Sequence, residues 1–138
     1  MVTINLKGRE IPLVYTTLEM LTLQEEIGPL GQIIPKIMGR NPDDEEDRSR
    51  YASPDHLKSA AKAIRILGNA GLEVAGKDGD LTDKWVMRAI RPADLLENVM
   101  ACLTAMDEGM QSEIPKVETT GPVDVVLEQI ERKKEPTG

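Results

Sequence analysis

The period of the apolar residues changes once, at Tyr15-Thr16, and that change constrains the fold more than any other feature. Upstream, Val2, Ile4 and Leu6 alternate with Thr3, Asn5 and Lys7. Gly8 interrupts the run, and Ile11, Leu13 and Tyr15 resume the alternation. Successive side chains of a strand point to opposite faces, so a period of two predicts two strands with one buried face, joined at Gly8 as a β-hairpin. Pro12 has no N–H to give to a ladder, which places the second strand at an edge. Downstream, apolar residues recur at three and four, the period of a helix. The fold class predicted is mainly α with a short N-terminal β-hairpin, an α+β domain.

Helix boundaries follow from local punctuation. Thr16 and Glu19 have the spacing of a capping box. Met20, Leu23, Gln24 and Ile27 then share a stripe, with Leu21 beside it, and Gly28-Pro29 ends the helix. Leu30 to Met38 reads as a shorter helix, broken by Pro35 after Ile34 and closed by Gly39. Ser53-Pro54-Asp55 supplies a cap, a first-turn proline and an acid at the positive end of the dipole. Leu57, Ala60, Ala61, Ile64 and Leu67 continue at helical spacing, and Gly68 reads as the terminating glycine. Lys58, Lys62 and Arg65 form a basic face, either solvated or in contact with acids elsewhere. Asn69 to Asp80, with Gly71, Gly76 and Gly79, reads as a loop. Thr82 or Asp83 caps a short helix through Ile90, carrying Trp85, Val86 and Ala89. Arg91-Pro92 separates it from what reads as the longest helix, where Leu95, Leu96, Val99, Leu103 and Met106 repeat up to Gly109.

Composition shifts after Met110. Gln111 to Thr120 shows no coherent apolar face and reads as a linker. The chain therefore divides into a compact helical domain over 1–110 and a tail over 111–138. Within the tail, Pro122 opens a C-terminal amphipathic helix with Val123, Val126, Leu127 and Ile130 at i, i+3, i+4 and i+7. Its acid Asp124 and bases Arg132, Lys133 and Lys134 lie at the ends that the helix dipole favours. So short a stripe must pack on something. The choices are its own domain, another copy, or a groove on another protein.

Several chemistries lack their residues. The net charge of −7 repels phosphate backbones and anionic lipids, so neither nucleic acid nor membrane is an expected partner. One His and one Cys, His56 and Cys102, make no metal-ligand set. His56 reads as a polar first-turn residue and Cys102 as a small core residue. The run Asp43 to Asp47 fails as an EF-hand loop, because the sixth position is Arg48 and the twelfth Pro54. It reads as a mobile loop that buries nothing. No phosphate-binding glycine motif and no GxSxG is present. No cofactor is expected, and the chain reads as a non-enzyme. A lone cysteine, no long apolar run and no signal-like start read as cytosolic.

The segment TINLKGREIPLVYTTLEMLTLQEEIGPLGQI resembles the start of tail assembly chaperones of long-tailed bacteriophages and prophages. The matching residues are Gly8-Arg9-Glu10, Leu18 to Glu26 and Gly28. AIRILGNAGLE and RPADLLENVMACLTAM are similar to the later helices of such domains, so the resemblance spans roughly Met1 to Met110. It implies a protein that works in the host bacterial cytoplasm, binds the long helical tape measure protein and keeps it soluble. It also implies help in recruiting tail tube subunits and absence from the mature virion.

Such a role needs adaptable apolar surface. The seven methionines either supply it or fill a core that has no Phe, one Trp and two Tyr. Met100, Met106 and Met110, with Val123, Val126, Leu127 and Ile130, are the candidate partner contacts. Two other functions compete: a tail-completion or head–tail connector protein that stays in the particle, and a small hydrolase of unrecognised type.

Overall fold

Two residues close the hairpin. In the computed structural model, which describes residues 1–44 and 46–111, strand β1 (Val2–Leu6) pairs antiparallel with β2 (Arg9–Leu13), from Val2↔Leu13 to Leu6↔Arg9. Lys7 and Gly8 turn between them at φ of 55° and 79°. Positive φ at both positions matches the twist of the flanking strands. Asn5 Oδ1 accepts the Gly8 N–H at 3.0 Å and holds the turn. The alternation lands as expected, with Ile4, Leu6, Ile11, Leu13 and Tyr15 buried.

Among the described residues five helices follow: α1 (Thr17–Glu26), α2 (Leu30–Met38), α3 (Pro54–Val74), α4 (Asp83–Ala89) and α5 (Leu95–Met110), with a 3-10 turn over Pro92–Asp94. The α+β class expected from the change of period is the fold observed. At the start of α1, the Glu19 carboxylate accepts from the Thr16 N–H at 2.8 Å and from the Thr16 hydroxyl. Leu23 is fully buried, while Gln24 and Leu21 on its flanks are exposed. Pro35 does not break α2, which runs through it to Met38. Gly39 closes that helix at φ 76°, and the Arg40 N–H returns to Pro35 O at 2.8 Å.

The longest helix is α3, 21 residues, and not α5. It touches β2 and each of the other four helices. Ala60, Ala63, Ile64 and Leu67 are wholly inaccessible, whereas Leu57 at its start is 39% exposed. Gly68 does not end it, and the first part of the expected loop, Asn69 to Val74, is helical. The true terminating glycine is Gly76 at φ 80°. The Lys77 N–H bonds Leu72 O at 2.8 Å and the Gly76 N–H bonds Glu73 O at 3.0 Å. That pair of bonds satisfies carbonyls the helix end would leave open.

Gly68 and Gly71 serve packing. A Cβ on Gly71 would lie 1.8 Å from Pro12 O, and one on Gly68 would lie 2.8 Å from Leu81 Cδ1. Backbone of α3 therefore rests directly on backbone of β2, and the Val14 N–H reaches Leu67 O at 3.2 Å. Gly109 repeats the device inside α5, since its Cβ would lie 2.3 Å from Tyr15 O. It too is a contact point and not a helix end. Asn69 then clamps the returning chain, donating to Leu81 O at 3.2 Å and accepting the Leu81 N–H at 2.8 Å.

Described residues of the acidic run make local hydrogen bonds that its like charges do not suggest. Asp47 is half-buried. Its carboxylate accepts from the Ser49 N–H at 2.8 Å and from Asn41 Nδ2 at 3.1 Å. Asn41 and Asp44 also accept N–H groups two residues ahead, from Asp43 and Glu46. Of the expected basic face, Arg65 is tied down, pairing with Asp83 at 2.5 Å and with Glu26. It joins α3 to α4 and α1.

Gly71→Ala should cost about 3 kcal/mol in chemical denaturation, because the clash is with backbone and cannot be relieved by a rotamer. Gly31→Ala, on α2 with open space around its Cβ, should instead stabilise by about 0.4–1 kcal/mol. Equal effects at the two glycines would show that α3 is not seated on the hairpin as described.

Candidate functional site

Short aliphatic side chains leave gaps where helices diverge, and two of these gaps are apolar grooves. The first, about 360 Å³, lies between the start of α3, α4 and the entry to α5. Its floor is Ile64 and Val86, both wholly buried. Its rim is Tyr51, Leu57 and Met87, which are 44%, 39% and 44% exposed. Ile90 and Leu95 complete the wall, and Arg91 is the one charged side chain in the lining among the described residues.

His56 holds the Tyr51-Ala52 wall of this groove. It occupies the first turn of α3, as expected, but it is buried to 2%. Its Nδ1 accepts the Ala52 N–H at 2.8 Å, and its Nε2 is 3.1 Å from Ile37 O. An N–H already donating to Nδ1 leaves that nitrogen unprotonated, so the ring is neutral and Nε2 donates to Ile37 O. The Tyr51 ring lies over it at 4.8 Å between centroids. Gly39 also packs against the ring, where a Cβ would come within 2.8 Å of Nδ1. Ala52 is held at φ 65°, a conformation that costs energy outside glycine and persists here through the His56 bond. Burial lowers the His56 pKa below its ordinary 6.5, against the Ile37 carbonyl and the Asp55 charge, which raise it.

The second groove, about 310 Å³, opens between α1, α2 and the end of α5. Ile33 and Met106 lie deep in it, while Leu30, Ile34 and Met110 stand on its rim at 51%, 47% and 62% exposure. Asp107 is its charged member. Two of the sequence-derived candidates, Met106 and Met110, are thus brought together here. Met100 is exposed on α5 and lines neither groove. Val123, Val126, Leu127 and Ile130 lie outside the described residues.

A third cleft, between β1 and α5, is polar, with Asn5, Asp94, Glu97 and Asn98 among its lining. Asp94 is held by Arg91 at 3.1 Å and Asn98 donates to Asp94 O at 2.9 Å. Among the described residues no group of three His, Cys, Asp or Glu is placed to hold a metal ion. Cys102 is fully buried in the core, which pushes its thiol up to about 12. It is protonated and unreactive at neutral pH.

The first groove was hidden in the sequence. Leu57 and Leu95 fit helical stripes and read as core, and Met87 lies outside the apolar set of its short helix. Only the junction of three elements gives these residues a common surface. Comparison of the chain with family models, curated proteins and solved structures gives no match.

His56 makes stability depend on pH with a definite sign. A histidine whose pKa is lower folded than unfolded binds fewer protons in the folded state, so stability is full above about 6.5 and falls below it. Asp47, held at about 2 by the Ser49 and Asn41 bonds, adds a second loss only between about pH 4 and 2. Thermal melts from pH 7.5 to 5 should show the first decline, and His56→Gln should flatten it. A melting temperature independent of pH across that range would contradict the buried neutral ring.

Proposed function

We propose that the protein binds apolar helical segments of other proteins, and that the first groove is where it does so. The observation carrying this reading is the groove itself: a fully buried aliphatic floor with a half-exposed rim of Tyr51, Leu57 and Met87. Tyr and Met are suited to such contact, one as a rigid amphipathic anchor, the other as an adaptable one. An amphipathic helix presents apolar side chains at i, i+3, i+4 and i+7, and inserts them into a groove of this kind. The net charge of −7 keeps the carrier soluble while such surface is open. No described helix is long and apolar enough to cross a membrane.

Within that class, the resemblance of residues 1–110 supports a tail assembly chaperone. The apolar segment would then belong to a phage tape measure protein, held in the host bacterial cytoplasm until tail tube subunits surround it. The role is one of binding, with no catalytic step. Among the described residues the His56 imidazole is buried and neutral and the Cys102 thiol is buried and protonated, which supports a binding role over nucleophilic chemistry.

Co-expression with a tape measure protein tests the reading. The wild-type chain should raise the soluble yield of its partner and co-purify with it. Leu57→Asp with Met87→Asp, both at half-exposed positions, should leave the fold intact and weaken capture by about 2 kcal/mol, roughly 30-fold. Undiminished capture by the double variant would remove the first groove from the function. Presence of the chain in purified virions would replace the chaperone with a connector that stays in the particle.

A further inference from the structure

We infer that the outer edge of β1 is a docking site for an extended, basic segment of a partner protein, which adds to the hairpin as a third strand. This is independent of what enters the first groove.

The parity of the hairpin leaves that edge open. A two-residue turn with positive φ at both positions makes its flanking residues, Leu6 and Arg9, a hydrogen-bonded pair. Pairs then alternate. Ile4↔Ile11 and Val2↔Leu13 exchange bonds, whereas Asn5↔Glu10 and Thr3↔Pro12 do not. Pro12, with no N–H to give, falls on a non-hydrogen-bonded position, as this parity requires. Residues in such pairs turn their N–H and C=O away from the partner strand. On β2 those outward groups meet α3: Pro12 O lies against Gly71, and the Val14 N–H reaches Leu67 O at 3.2 Å. On β1 the outward groups belong to Thr3 and Asn5, and among the described residues nothing outside the hairpin bonds them. Each leaves one N–H and one C=O facing outward, where a neighbouring strand would lie about 4.8 Å away.

The third cleft follows this edge. It holds about 350 Å³, and Thr3, Ile4, Asn5 and Leu6 all line it. Side chains of a strand alternate between faces, so a cleft lined by consecutive residues runs along the edge and not over one face. Its far wall is α5. There Glu97 is exposed and has no ion-pair partner among the described residues, while Asp94 is shared with Arg91. Asn98 is only 9% exposed. Its Nδ2 donates to Asp94 O at 2.9 Å, and its Oδ1 has no partner among the described residues. A buried acceptor left open in a cleft wall marks a place for a donor.

Charge selects the occupant. An open edge is a template for any chain, and natural edges are commonly blocked by proline or by charge. β2 carries Pro12, but β1 reads Val2-Thr3-Ile4-Asn5-Leu6, with neither. What restricts pairing is the acidic wall. It disfavours a second copy, whose uncovered strand edge among the described residues is β1 itself. Pairing β1 with β1 would bring the Asp94 and Glu97 of both copies together. A segment with Lys or Arg flanking a short strand instead meets backbone groups along Thr3 to Asn5 and carboxylates on α5. Strand addition of this kind takes affinity from main-chain bonds and specificity from the side chains beside them.

NMR titration of the isotope-labelled full chain with a short capped peptide, alternating Thr and Val with Lys at both ends, tests the inference. Binding should be saturable, should shift the Thr3 and Asn5 amides most, and should slow their hydrogen exchange at least about tenfold. The same peptide with Glu at its ends should bind about fivefold more weakly. N-methylation of its backbone amides keeps every side chain but removes the donors, and should weaken binding at least about tenfold. Thr3→Pro removes an outward N–H without touching a hairpin bond, as Pro12 does on β2. It should abolish binding while α3 amides keep their protection, and the peptide comparisons on the wild-type chain decide the question even where this variant disturbs the hairpin. No binding, equal binding of the N-methylated peptide, equal affinity for Glu and Lys ends, or shifts confined to Leu57 and Met87 would each overturn the inference. So would self-association of the free chain that Thr3→Pro abolishes, which would assign the edge to a second copy.

Discussion

Everything in this domain is arranged around a contact with no side chain in it. Gly71 of α3 lies against the carbonyl of Pro12, where even a methyl group would come within 1.8 Å of the oxygen. Two layers that normally stand about 10 Å apart are drawn together until backbone meets backbone. Because α3 also touches α1, α2, α4 and α5, its height above the hairpin sets theirs. Gly109 against Tyr15 fixes α5 to the end of the same hairpin in the same way. Arg65, paired with Asp83 and Glu26, then holds α4 and α1 to α3 at the periphery.

That close approach suits a core with hardly any aromatic side chains. Alanines at 60, 61, 63, 70 and 105 are buried with Ile11, Ile33, Ile37, Leu67 and Val99. Small and branched side chains pack well where helices lie close. They do not span the wedges where helices diverge, which is where a Phe or Trp would bring 150–250 Å² of surface, as a rough scale. The grooves beside Met87 and beside Met110 are those unfilled wedges. In this view the chain's apolar grooves follow from its composition: the same shortage that forces tight packing at the centre leaves open clefts at the margins. One of those clefts has its wall set by His56, so protonation of a single buried ring reaches the proposed binding surface.

The hairpin, the capping box at Thr16, the start of α3 and most of its stripe were legible because each is a local signal, whereas of the stripe expected on α5 only Val99 and Met106 are buried, Leu96 is exposed, and Asn98, Cys102 and Ala105 complete the buried face. Alternation at Val2 to Leu13, a cap three residues before its partner, and a Ser-Pro-Asp start depend on near neighbours only. The errors fall on glycines. Gly68, Gly71 and Gly109 carry the same local signal as a helix stop, and what keeps them helical lies far along the chain, at Pro12, Leu81 and Tyr15. Gly76 and Gly39, which do stop helices, differ in adopting positive φ, a property that sequence alone does not display. Pro35 misleads in the same sense, since packing of Ile33 and Ile37 carries α2 through it. Asp47 was hidden inside a charge run whose composition speaks for disorder, while Asn41 and Ser49 give it partners. Of the candidate site, Met106 and Met110 were legible as apolar residues one turn apart. The Leu57–Met87 groove was not, because three separate elements build it.

The central claim is that a helix carrying an apolar stripe is held in the groove floored by Ile64 and Val86. The most direct measurement is a methyl chemical-shift map of the full chain during titration with an amphipathic helix from a tape measure protein. The account predicts saturable shifts concentrated at Leu57, Ile64, Met87, Ile90 and Leu95, with methyls on the hairpin unmoved. Saturable binding that leaves those five groups unshifted, or no binding to any apolar helix, would contradict it.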